Sequence, residues 1–101
     1  MPSIDPAPDE LETAVTVVSI RFWAAARAAA GTSEVAVETS VPVTLAELVE
    51  RVLVGRPERL GAVLAGCSVL LGDQPVSTRD PADVLVAPGQ TVEFLPPFAG
   101  G

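Results

Sequence analysis

The amino-acid sequence predicts an α+β fold, a two-layer sandwich in which one main helix packs across a mixed sheet of about five strands. Three observations carry that prediction. Short runs with alternating apolar residues stand near both ends of the chain, as in half-buried strands. One central segment repeats apolar residues at helical spacing. Strand-like runs lie on both sides of that segment, so a single helix must cover strands drawn from both halves.

The first strand spans Thr16 to Trp23, with Val18, Ile20 and Phe22 on one face and Ser19 and Arg21 on the other. Ala24 to Ala30 allows one or two helical turns, stopped by Gly31. Glu34 to Glu38 alternates again, with Val35 and Val37 inward, and forms an antiparallel partner for the first strand. The main helix begins at Thr44, where Thr44-x-x-Glu47 is a capping box. Leu45, Leu48, Val49, Val52 and Leu53 make its apolar stripe, and Glu47 and Arg51 pair on the opposite side. Gly55 ends it. Pro57 suits the first position of a shorter helix carrying Leu60, Val63 and Leu64, closed by Gly66.

Cys67 to Leu71 has little polar alternation and reads as a central strand. A turn at Gly72-Asp73 leads to a short strand around Pro75 to Ser77, which Pro75 confines to an edge. Thr78 to Val86 is irregular, with a short turn at Asp80-Pro81. Pro88-Gly89 suits a type II turn. Thr91 to Leu95 is the last strand, with Val92 and Phe94 inward. Three segments follow from this reading: an acidic leader at 1–13, a folded domain at 14–95, and a tail at 96–101.

Composition narrows the function by exclusion. The 101 residues suffice for one domain. Thirteen acids oppose six bases, all arginine, for a formal charge of −7. Four of the acids lie in the leader, with Pro2, Pro6 and Pro8, a composition that favours disorder. The domain itself is therefore only mildly acidic. An isoelectric point near 4.3 argues against nucleic-acid partners, which need clustered positive charge. No apolar run reaches the length of a membrane span, and no export signal opens the chain, so the expected location is cytoplasmic with no membrane partner. With no histidine and one cysteine, the sequence holds no imidazole base, no Ser-His-Asp or Cys-His pair and no thiolate zinc site. No bound cofactor or metal is expected, and the chain is not expected to be catalytic alone.

The chain closes on Pro96-Pro97-Phe98-Ala99-Gly100-Gly101. The two prolines hold the exit extended. Phe98 is an aromatic outside any periodic segment. Gly100 and Gly101 have no Cβ and can thread a channel too narrow for a side chain. Six residues reach at most about 20 Å. The chemistry available at that point is the main-chain carboxylate of Gly101, which becomes an electrophile once another enzyme converts it to an acyl-adenylate.

Ile20-Arg21-Phe22-Trp23-Ala24-Ala25-Ala26-Arg27, Thr44-Leu45-Ala46-Glu47-Leu48 and Leu95-Pro96-Pro97-Phe98-Ala99-Gly100-Gly101 together resemble a known family. It is the ubiquitin-like sulfur carriers of the MoaD/ThiS type, and the resemblance is closest to the small subunit of molybdopterin synthase. The likeness covers about residues 15 to 101 and implies a ubiquitin-like β-grasp fold. Two turns depart from the family pattern, at Gly72-Asp73 and at Ala87-Pro88-Gly89-Gln90. The resemblance further implies a cycle of activation and transfer. A partner adenylyltransferase resembling ubiquitin-activating enzymes uses ATP to adenylate Gly101. A sulfur donor converts the carboxylate to a thiocarboxylate. The tail then enters the large synthase subunit, where sulfur passes to a pterin precursor. Gly101 and Gly100 are the reacting end. Pro97, Phe98 and Ala99 are expected to contact the partner, as are Arg21 and Trp23, residue types favoured at interfaces. The same tail chemistry also serves carriers for thiamine or cysteine synthesis and ubiquitin-like protein modifiers. A binding domain with an incidental Gly-Gly end is a third alternative. Cys67, beside Val69, Leu70 and Leu71, is expected to be a core residue rather than a sulfur relay. The Glu34/Glu38 and Glu47/Glu50 pairs read as solvated faces.

Overall fold

The computed structural model describes residues 16–97. The leader at 1–13 and the tail residues Phe98, Ala99, Gly100 and Gly101 lie outside the described residues. Strand β1 (Val17–Phe22) leads into helix α1 (Ala24–Ala30), then β2 (Glu34–Glu38) and β3 (Val43–Thr44). Helices α2 (Leu45–Leu53) and α3 (Glu58–Ala65) follow, then β4 (Ser68–Leu71), β5 (Gln74–Pro75), a 3-10 turn at Pro81–Asp83, β6 (Leu85–Val86) and β7 (Thr91–Leu95).

The main sheet has five strands in the order β2-β1-β7-β4-β5, and a separate ribbon pairs β3 with β6. β1 runs antiparallel to β2 and parallel to β7, so the first and last strands lie side by side in the middle. β7, rather than the Cys67–Leu71 segment, is therefore the central strand. β4 begins at Ser68 and lies between β7 and the short β5. Its apolar run reflects partial burial, because all four residues are half-buried. β5 comprises Gln74 and Pro75, and Pro75 does lie at the sheet edge, where its missing N–H leaves no ladder bond unmade.

The core forms between one sheet face and the helices. Val18, Ile20, Phe22, Val92 and Phe94 supply the sheet side, and Leu45, Leu48, Val52, Leu60 and Leu64 the helix side. Phe22 and Phe94 are in register across the parallel pair, with ring centroids 6.1 Å apart. Three helices share the cover expected mainly of one: Ala26 and Ala29 of α1 are buried beside residues of α2 and α3.

The α2 N-terminus is capped as its first residues predict, Thr44 Oγ1 accepting from the Glu47 N–H at 3.1 Å. The reciprocal half of the capping box does not form. The Thr44–Leu85 pairing recruits Thr44 into the β3–β6 ribbon, and Leu45 N–H donates to the Val84 carbonyl at 2.8 Å. Glu47 turns instead to Arg51, one turn on, at 3.1 Å. Pro57 is the N-cap of α3, one place before its expected position. Gly89 has φ +95°, the sign a type II turn demands, and Gln90 N–H closes that turn on the Ala87 carbonyl at 3.1 Å.

Leu48 is wholly buried under the sheet, so Leu48→Ala is expected to cost about 2–5 kcal/mol in denaturant unfolding. Thr44→Ala removes a single cap and is expected to cost about 1 kcal/mol in the same measurement.

Candidate functional site: the corner where the tail leaves the fold

Parallel pairing makes β1 and β7 end at the same edge of the sheet. Trp23 N–H donates to the Phe94 carbonyl at 3.0 Å, extending the ladder one residue past β1. The chain then turns sharply: Ala24 has φ +51°, a left-handed conformation costing a residue with a Cβ about 1 kcal/mol. This turn lifts α1 off the sheet while leaving Trp23 at the corner. On the adjacent strand Leu95 ends β7, and Pro96 and Pro97 continue outward, both exposed.

The outer face beside this corner carries a charged row. Arg21 pairs in register with Glu34 of β2 on one side and Glu93 of β7 on the other. Trp23, 39% exposed, joins the row: its indole Nε1–H donates to Glu93 Oε1 at 2.9 Å. The Arg21 guanidinium lies 5.1 Å from the indole centroid, within cation–π range. Arg21 and Trp23, picked out independently in the sequence, are thus brought together, and Pro97 lies at the same corner.

A groove of about 270 Å³ opens here, lined by Trp23, Ala24–26, Ala62, Val63, Gly66, Cys67, Pro96 and Pro97. Small residues of α1 and α3 leave this space beside the root of the tail. Cys67 is half-buried and packs against the core, in keeping with a structural role. Its Sγ donates to the Val63 carbonyl at 3.3 Å, and burial pushes the thiol pKa up. A larger groove of about 470 Å³ lies between α2, α3 and the segment after β5, with Leu45, Val49, Leu64, Val76 and Arg79 among its walls.

Glu93 was not among the residues singled out from the sequence. The alternation of Thr91 to Leu95 places it outward, but its neighbour across the sheet depends on a pairing between the two ends of the chain. Among the described residues, no group of three or more His, Cys, Asp or Glu side chains is placed to hold a metal ion, and no helix is long and apolar enough to cross a membrane.

The central β7 flanked by β1 and β4, with helices on one face, defines a β-grasp protein of ubiquitin-like architecture. Residues 20–101 match the ThiS family, and the chain belongs to that family. Several solved structures share the fold. Urm1 from Trypanosoma brucei is 19% identical, with a TM-score of 0.66 over 86% of this chain and 97% of its own. The HVO 2177 protein of Haloferax volcanii is 21% identical, with a TM-score of 0.64 over 86% and 88%. A chain of the complex of subunits 1 and 2 of molybdopterin-converting factor from Helicobacter pylori is 24% identical, with a TM-score of 0.57 over 84% and 99%. Comparison with curated proteins gives no match.

The raised thiol pKa fixes two outcomes for Cys67. Alkylation by iodoacetamide at neutral pH is expected to be slower in the folded protein than in denaturant, because the thiolate is the nucleophile. The folded state holds the thiol proton more tightly than the unfolded state, whose value is 9.0. Stability from this group is thus fully present below pH 9 and is lost as pH rises past it. Denaturation midpoints of the wild type and Cys67→Ala across that range check the sign.

Proposed function

We propose that this protein is the sulfur-carrying small subunit of a molybdopterin synthase, with the Gly101 carboxylate as the group that carries sulfur. The observation that carries the reading is the course of β7. It lies at the centre of the sheet and leads through Pro96 and Pro97 to the sequence Phe98-Ala99-Gly100-Gly101, whose last glycine is the reacting residue in this reading. A central strand gives the tail a rigid origin, and two prolines project it outward. The run from Ile20 to Arg27 favours the molybdopterin branch, and fold similarity to the Helicobacter pylori molybdopterin-converting factor complex supports a large-subunit partner.

In this cycle the chain supplies the acceptor and its partners the catalysis. An activating enzyme joins the Gly101 carboxylate to the AMP part of ATP, releasing pyrophosphate. A donor delivering sulfur at the oxidation level of sulfide attacks the carbonyl carbon. The bond to the AMP oxygen breaks, and the thiocarboxylate remains. In the large subunit the sulfur is transferred to the pterin precursor, and water restores the carboxylate. No side chain of this protein needs to move a proton. Its work is to present the tail, to bind through Arg21, Trp23, Pro97, Phe98 and Ala99, and to keep the fold out of the partner's channel.

A second reading is a ubiquitin-like modifier, favoured by the similarity to Urm1. It uses the same activated Gly101 but delivers it to a lysine amine, so protein conjugates surviving denaturation distinguish it.

Mass spectrometry after incubation with the activating enzyme, ATP and a sulfur source is expected to show one oxygen exchanged for one sulfur. Deletion of Gly101 is expected to abolish the exchange; exchange that persists without Gly101 contradicts the proposal. Phe98→Ala is expected to weaken large-subunit binding by about 1 kcal/mol or more while leaving the melting temperature unchanged.

A further inference from the structure

We propose that Glu93, through Trp23, is a positioning element that fixes the direction in which Pro96 and Pro97 leave the sheet. The proposal rests on the carrier reading above for its activity test, but its structural test stands apart from it. Trp23 is held at three points: its backbone N–H on the Phe94 carbonyl, its indole N–H on Glu93, and its ring under the Arg21 guanidinium. The two β7 residues that hold it come immediately before Leu95. The clamp thus joins the end of β1 to the last residues of β7 before the tail. Trp23 also lines the groove whose walls include Pro96 and Pro97.

The chemistry explains why this residue pair suits the task. A carboxylate accepting an indole N–H forms a charge-assisted bond, which holds its geometry better than a neutral one. The parallel register places Arg21 directly across from Glu93, so the cation above the ring and the carboxylate at its edge lie on one side of the sheet. Without that bond, Trp23 keeps its backbone attachment and the Arg21 guanidinium over its ring, but loses the contact that ties the indole edge to β7. The groove wall beside the prolines then loosens. A carboxylate that must meet a nucleotide in another protein's active site depends on a defined approach, since small misplacements of reacting groups are costly.

The test compares Glu93→Ala with Glu93→Gln, whose amide oxygen still accepts the indole N–H. In the free full-length protein, Cα–Hα residual dipolar couplings of Pro96 and Pro97 are measured against those of the sheet. Glu93→Ala is expected to reduce the couplings at both prolines, and Glu93→Gln to retain them. With the cognate activating enzyme, ATP and labelled pyrophosphate, Glu93→Ala is expected to lower kcat for ATP–pyrophosphate exchange by about tenfold with KM within twofold, and Glu93→Gln to restore it. Unchanged couplings in Glu93→Ala overturn the proposal, as does equal impairment by Ala and Gln or a loss confined to KM. Wild-type protein that supports no exchange contradicts the carrier reading, while the dipolar couplings still decide the positioning role.

Discussion

The parallel pairing of β1 with β7 is the contact on which the rest of the structure depends. It joins the two ends of the domain, aligns Ile20 with Val92 and stacks Phe22 beside Phe94, and so completes the sheet side of the core. Because the strands run the same way, it also brings the end of β1 and the start of the tail to one corner. Such a pairing closes a long loop before it gains its contacts, so the helices between the two strands must cover the sheet to make it stable. Their apolar faces do so, and the outer face carries polar residues such as Ser19, Arg21 and Glu93 with the half-buried Val17, Leu70 and Leu95.

This arrangement suits a protein that contributes a chain end rather than a catalytic side chain. The absence of histidine and the single, half-buried cysteine leave little side-chain chemistry, and among the described residues no group of three or more His, Cys, Asp or Glu side chains is placed to hold a metal ion. What the fold does provide is a stiff origin for the tail and a recognisable surface next to it. Arg21 and Trp23 form that surface, and Glu93 on the neighbouring strand holds the Trp23 indole in place. In the proposed cycle the two share one corner, so that a partner binding Arg21 and Trp23 is already beside the tail.

Much of this was readable from local pattern. The alternation in β1, β2 and β7, the apolar stripe of α2 and the turn at Pro88-Gly89 depend on neighbouring residues, and all appear as expected. What the pattern did not reveal depends on distant partners. The short β3–β6 ribbon has only two residues in each strand, too few to show a period. β4 looked central because it is apolar, yet β7 takes the centre through its parallel partner. Glu47 satisfied a helix-start pattern but found a nearer use with Arg51. At the site, Arg21 and Trp23 could be chosen by residue type and face, whereas the part played by Glu93 emerges only when the two chain ends are placed side by side.

The most direct test of the central claim follows the sulfur itself. Full-length protein bearing an isotope-labelled thiocarboxylate at Gly101 is mixed with the large synthase subunit and the pterin precursor, without any other sulfur source. Recovery of the label in the dithiolene of the product, with return of the protein to its carboxylate mass, is the predicted result. A labelled protein that remains thiocarboxylated, or that transfers its label only to some other acceptor, would contradict the molybdopterin assignment.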